Sequence, residues 1–117
     1  MKTVELKMGS QTLIPKCQIA ETFFPRLIGL VGRNELRDDE ALLFPRCNSI
    51  HTCFMRFPID IVFMAHDGTV LEIVEALKPW RCLLPRFRAL HILELRALKA
   101  RVLGISDGKR ICCEGIW

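Results

Sequence analysis

Hydrophobic and polar residues alternate along much of this chain with the period of a β-strand. Over Thr3–Met8, Val4, Leu6 and Met8 alternate with Thr3, Glu5 and Lys7, which predicts a strand with one buried face. Gly9-Ser10 reads as a turn. A second strand follows, broken or edged by Pro15, in which Cys17 and Ile19 alternate with Lys16 and Gln18. The period then becomes helical. Thr22 is an N-cap, Pro25 falls within the first turn, and Phe23, Leu27 and Leu30 share one side of a helix that runs to about Val31 and stops at Gly32. The acidic turn Asp38-Asp39-Glu40 leads into a short apolar strand, Ala41–Phe44.

Ile59–Met64 is apolar on both faces apart from Asp60, the pattern of a central strand covered on both sides. Asp67-Gly68 separates it from a further strand at Thr69–Glu75 and is the best hairpin signal in the chain. Pro79 and Pro85 make Lys78–Arg88 an irregular excursion. Ala89–Leu95 is another strand, Ala97–Leu103 one or two helical turns ending at Gly104, and Asp107-Gly108 a turn into a last strand at Lys109–Cys113. The elements predict an α+β, β-rich fold: a mostly antiparallel curled sheet or partial barrel of about seven strands with one or two short helices.

The length of 117 residues fits a single domain over 1–117. No apolar run reaches the roughly 18 residues of a membrane-spanning helix. The N-terminal alternation is a strand pattern, not a signal peptide, so a cytoplasmic protein is expected. The six cysteines are then expected to be reduced and mostly buried rather than a disulfide framework. The net charge is +4, with eleven of the seventeen basic residues arginine. That is too mild to predict a dedicated nucleic-acid binder, although arginine suits carboxylate and phosphate ligands. A monomer is expected.

Candidate chemistry concentrates between Cys47 and Asp60. His51 reads as a general base or ligand contact, or as a core histidine bonded to backbone carbonyls. Asp60, inside an apolar strand, needs partners, for which Arg56, Arg26 and Arg33 are candidates, or it caps a backbone turn. Glu94, between Leu93 and Leu95, is expected on the opposite, water-facing side. Cys47, His51 and Cys53 have metal-ligand residue types but lack a second pair of ligands, and no metal or other cofactor is expected. A cysteine nucleophile would need a histidine beside it, which Cys47 or Cys53 near His51 could supply. There is no Gly-x-Ser-x-Gly elbow and no phosphate-binding glycine loop. Lys78-Pro79-Trp80-Arg81 and Arg86-Phe87-Arg88 interleave aromatics with cations, as base-stacking surfaces do, or as a solvated loop pinned by Trp80 does.

Several blocks occur in a fixed order: Arg26-Leu27-Ile28-Gly29-Leu30 with Arg33 and Leu36; Leu42-Leu43-Phe44-Pro45; Cys47 and His51 to Phe63; Asp67-Gly68-Thr69-Val70; Lys78-Pro79-Trp80-Arg81; and Leu93-Glu94-Leu95. Over about Ala20 to Gly108 they resemble the bacterial and archaeal family called domain of unknown function 192, in its subset without a signal peptide. The resemblance implies a compact β-rich fold and no assigned reaction, cofactor or substrate. It hints at a pilus- or secretion-related process and so at a protein partner. The family has an aromatic residue where this chain has Cys53, which argues against Cys53 as a nucleophile. It continues past Leu95 with a Pro-Ala-Gly-like turn, where this chain has Arg96-Ala97-Leu98-Lys99.

Two functional readings emerge. The first is a small binding or accessory domain for an anionic or peptide ligand, held at a polar pocket around His51 and Asp60 with Thr52, Arg56, Trp80, Arg26 and Arg33 as further contacts. The second is a small enzyme with His51 as general acid or base and Asp60 or Glu94 as its carboxylate. Single-stranded nucleic-acid binding through Trp80–Arg88 is a weaker third, and nucleic acid is not the expected partner.

Overall fold

The computed structural model describes residues 2–20 and 35–117. The strands are β1 (Lys2–Met8), β2 (Gln11–Ile19), β3 (Glu40–Phe44), β4 (Ile50–His51), β5 (Ile59–Met64), β6 (Val70–Leu77), β7 (Cys82–Leu83), β8 (His91–Arg96) and β9 (Cys112–Cys113), with one short helix, α1 (Lys99–Val102), among the described residues. Seven strands form one sheet in the order β6-β5-β8-β3-β2-β1-β9, and β4 pairs with β7 in a separate two-stranded ribbon. Every ladder of the large sheet is antiparallel except β2–β3. The predicted helix at Thr22–Val31 lies outside the described residues.

The sheet curls until its edges meet. The amide N–H of Val70, at the start of β6, donates to Lys109 C=O (2.7 Å), Gly108 N–H donates to Val70 C=O (2.8 Å), and Ile111 N–H donates to Gly68 C=O (2.9 Å). Thr69 and Arg110 form an isolated bridge at the same place. This closure relieves the exposed edges that an open sheet would present. Alternation sorts the strand residues into two cores. Leu6, Ile14, Cys17, Leu43, Val62, Met64, Leu93 and Leu95 fill the inside of the curl. Leu42, Phe44, Ile59, Ile61, Phe63 and Ile92 form a second cluster on the outer face. All six residues of β5 are therefore buried, as expected of a doubly covered strand.

Pro15 does not break β2. The registers Val4↔Cys17, Leu6↔Ile14 and Lys7↔Thr12 place extra residues on β2 at two points. Pro15 lies at one of these bulges, and the ladder with β3 starts only at Lys16↔Glu40. A bulge is where a strand tolerates a residue that has no N–H to donate. The lone parallel pair, β2–β3, requires a long crossover rather than a hairpin, and the chain between Ile19 and Glu40 supplies it.

The hairpin at Asp67-Gly68 forms as predicted, with Gly68 at φ 90°. A Cβ at this position would meet Ile111 C=O and the Trp117 indole nitrogen. Trp117 in turn donates from Nε1 to Ile111 C=O (2.7 Å) and stacks on His91 (centroids 4.1 Å apart). His91 Nδ1 accepts the Arg46 amide at 3.2 Å, and burial holds the imidazole below its ordinary pKa. The cysteines are all free thiols, but only Cys17 and Cys113 are buried, and Cys82 is exposed. The expectation of mostly buried thiols is therefore corrected, because Cys47, Cys53 and Cys82 fall on the irregular segments and the ribbon rather than in the sheet. Burial pushes the Cys113 thiol up to about 11 and raises Cys17 as well.

Gly68→Ala should be among the most destabilising changes available outside the core. It adds a Cβ against a backbone carbonyl, which cannot retreat, at a backbone conformation that costs L-residues roughly 1–2 kcal/mol by itself. Thermal or urea denaturation checks this, and a variant as stable as the parent would contradict the packing of Trp117 against the hairpin.

Candidate functional site

The sequence candidates separate into two groups in space. Asp60 is fully buried at the start of β5. Opposite it, the register passes from Ile59↔Leu77 to Ile61↔Val74, so β6 bulges at Glu75 and Ala76. The bulge puts Ala76 at φ 47° and takes its N–H out of the ladder. Asp60 Oδ1 accepts that N–H at 2.9 Å and the Leu98 N–H at 2.9 Å, while Oδ2 accepts the Ala100 N–H at 3.0 Å. Leu98, at φ 68°, is the N-cap of α1 and makes no side-chain cap of its own. Asp60 thus caps a helix from another strand, satisfying donors that a helix start leaves open. Among the described residues it accepts from three backbone amides; the predicted partners Arg26 and Arg33 lie outside the described residues. A carboxylate sealed in this way does not line a ligand pocket, so the Asp60 part of the predicted pocket is corrected.

Glu94 is corrected as well. It is 3% exposed rather than water-facing, because both faces of the central sheet are covered and its cross-strand neighbours are Leu42 and Ile61. Among the described residues its Oε2 has no hydrogen-bond partner, and burial pushes the carboxyl up to about 8.

His51, Thr52 and Trp80 come together on the two-stranded ribbon, and His51 faces Cys82 across it. The His51 ring is exposed and its Nδ1 accepts the Cys53 amide at 3.3 Å. It is not the core histidine; that position belongs to His91, which nothing in the chain pattern singled out. Thr52 is fully buried and locks two turns together. Its hydroxyl donates to Lys78 C=O (2.7 Å) and accepts from Arg81 N–H (2.9 Å). Its own N–H donates to Arg81 C=O, and its carbonyl accepts the amides of Trp80 (2.9 Å) and Met55 (3.2 Å). The two turns carry Phe54 at φ 66° and Trp80 at φ 64°. These rings lie 4.6 Å apart at 57° and stay exposed at 65% and 59%. Left-handed backbone at two large residues is costly and persists only where surrounding bonds impose it. The bonds to Thr52 do so.

At the other end of the ribbon Arg86 is held by Glu72 (2.9 Å and 3.3 Å), by Asn48 C=O through its amide, and over the Phe63 ring. The neighbouring Phe87 is 99% exposed. Phe54 was missed by sequence reasoning because it sits in an apolar run, and only the left-handed turn at its own position sends it outward. Cys47, whose thiol donates to Ser49 C=O, does not join His51 and Cys53. Among the described residues no three histidine, cysteine, aspartate or glutamate side chains converge on a metal-binding geometry.

Asp60→Asn should cost about 1–3 kcal/mol, since an amide NH₂ would then face a backbone N–H, and Asp60→Ala should cost more by leaving three amides unpaired. Chemical denaturation reads both, and an unchanged midpoint in either would contradict the capping role. Glu94 sets a pH dependence. The unfolded chain releases this proton near the ordinary pKa of 4.5, while the folded protein keeps it to about 8. Its stabilising contribution is complete below pH 4.5 and is lost as pH rises toward 8, a loss on the order of a few kcal/mol. Stability of the parent should fall over that window relative to Glu94→Gln, and parallel pH profiles would rule this out.

The family model DUF192, described as an uncharacterised ACR, matches residues 4–113. A UPF0127 protein of Pyrococcus abyssi is 32% identical over 102 residues, spanning 82% of this chain and 84% of that protein. One from Pyrococcus horikoshii is 37% identical over 83 residues, spanning 66% and 69%. Two crystal structures share the fold. A protein of unknown function from Novosphingobium aromaticivorans aligns with a TM-score of 0.80 at 26% identity, covering 94% of this chain and 83% of that one. A Sinorhizobium meliloti protein, proposed to be a transcription regulator, aligns with a TM-score of 0.81 at 27% identity, covering 96% and 92%. Its closed seven-stranded sheet and the match along nearly its whole length agree: this chain belongs to the DUF192 family of uncharacterised conserved proteins.

Proposed function

We propose that the chain is a binding domain that holds an anionic ligand on the surface built by the β4–β7 ribbon and its flanking turns. One observation carries the reading. Phe54 and Trp80 are held exposed in strained backbone by the buried Thr52, on a surface whose nearby charges are cationic. His51, Lys78, Arg81 and Arg88 are exposed there, while Arg86 is in an ion pair with an acid, Glu72. Aromatic area held out in water at the expense of backbone strain is what a contact surface requires. Relative to the pocket expected around His51 and Asp60, the site moves outward to a surface, since Asp60 is committed to backbone.

The enzyme alternative asks for a carboxylate within reach of His51. Asp60 already accepts three amides, and Glu94 is buried in the sheet. The binding reading uses the exposed His51 and Trp80, with the buried Thr52 fixing the turns beside them, and needs neither acid.

Inorganic polyphosphate is a direct probe. Its addition should shift backbone NMR signals of residues 46–56 and 78–88 and leave those of β1 and β2 in place. Lys78→Glu with Arg88→Glu should weaken binding on the order of tenfold at low salt. Shifts confined to another face, or affinity untouched by the double reversal, would overturn the assignment.

A further inference from the structure

We infer that the anion bound on this surface is a single-stranded nucleic acid; the inference rests on the anion-binding reading above and names its ligand class. Basic residues are concentrated in the two segments that build this surface. Segments 46–58 and 78–91 hold Arg46, Arg56, Lys78, Arg81, Arg86 and Arg88 and not one Asp or Glu. That leaves eleven basic against thirteen acidic residues for the rest of the chain. The modest net charge of +4 therefore conceals two wholly cationic segments in an otherwise slightly acidic chain. A polyanion is oriented by such a field, while the total charge predicts almost nothing about it. Arg46, Lys78, Arg81 and Arg88 have no ion-pair partner among the described residues.

Exposed aromatic rings distinguish a nucleic acid from other polyanions as the ligand. Cations and exposed rings alternate: Trp80 lies between Lys78 and Arg81, and Phe87 between Arg86 and Arg88. An acidic peptide or a bare phosphate chain would use the cations and leave Phe54, Trp80 and Phe87 in water. A single strand offers a π-face and a phosphate at every step, so both halves of the pattern are used. Five of the six cations are arginine, which grips phosphate through two parallel bonds and stacks on bases through its plane. The unstacked bases of a single strand are needed for this, since paired bases hide their faces.

The rings are fastened at a definite spacing. The Phe54–Trp80 pair is fastened at one end of the ribbon by Thr52, and the turn carrying Phe87 is fastened at the other by Arg86 to Glu72 and Asn48. These anchors lie over β6 near Leu77 and Glu72, a separation on the order of 15 Å at the strand rise. That span accommodates a few nucleotides, toward the short end of the roughly 4–16 covered by small single-strand-binding folds.

Fluorescence anisotropy with a labelled oligothymidylate of about 12 nucleotides tests the inference, with inorganic polyphosphate of matched charge and a polyglutamate peptide as parallel probes. The oligonucleotide should bind more tightly than either. Its log affinity should fall with log salt at a slope of about −2 to −3, as four unpaired cations predict for a single strand. Phe87→Ala and Trp80→Ala should each weaken the oligonucleotide about 5- to 100-fold and leave polyphosphate binding unchanged. Phe87 makes no packing contribution that its loss could unfold, so a Trp80 variant that loosens its turn does not blunt the test. Equal affinity for polyphosphate and oligonucleotide, with Phe87→Ala silent, overturns the nucleic-acid assignment and leaves the anion surface standing. Preference for polyglutamate, or for the duplex of the same length, overturns it too. Binding of none of the probes removes the anion reading together with the inference.

Discussion

Asp60 places a carboxylate inside a nearly closed sheet, and its three amide partners come from three parts of the chain: the bulge in β6, the turn after β8 and the first turn of α1. Each of those amides lacks another acceptor for a local reason. A bulge takes Ala76 out of register, and a helix start leaves its first N–H groups open. Two of the three segments also carry a non-glycine residue in left-handed conformation, Ala76 and Leu98. The cost of the strain and the cost of burying the carboxylate are both met by one set of charge-assisted bonds. Without that acceptor, α1 has no side-chain cap and three amides lose their shared partner.

The curl itself is closed by backbone bonds between the start of β6 and residues 108–111, with Trp117 laid over Gly68 and against His91. The sheet buries both of its central faces. That arrangement is why Glu94, on a strand whose neighbours on either side are β3 and β5, is deprived of water. An unpartnered acid in such a position is held neutral by its surroundings.

The outer cluster of Leu42, Ile61, Phe63 and Ile92 is covered in part by the ribbon, through Ile50, Leu83 and Met55. The ribbon is only two residues long on each strand, too short to stand alone. Packing on this cluster and the bonds of Thr52 support it. The same support lets Phe54 and Trp80 point away from the core, so the apolar outer face of the sheet underlies the exposed aromatic surface.

Most strands were legible in the chain: β1 from its alternation, β3 and β5 as short apolar runs, and β6 and β8 as apolar segments bounded by turn signals such as Asp67-Gly68, all of them local in sequence. So were the curled, mostly antiparallel architecture and the blocks that mark the family. Asp60 was legible as a residue in need of partners, but not its partners, because Ala76, Leu98 and Ala100 reach it only after three elements have packed. Glu94 misled for the same reason. Alternation says which side of a strand a residue faces, and whether that side meets water depends on what else the chain lays over it. The cationic surface was invisible in a net charge, since a sum carries no positions. The exposed Phe54 was invisible in an apolar run, since a single left-handed residue reverses its direction. Local pattern determined the strands and turns of this protein; burial, partner choice and the grouping of charge were decided by contacts between residues far apart in sequence.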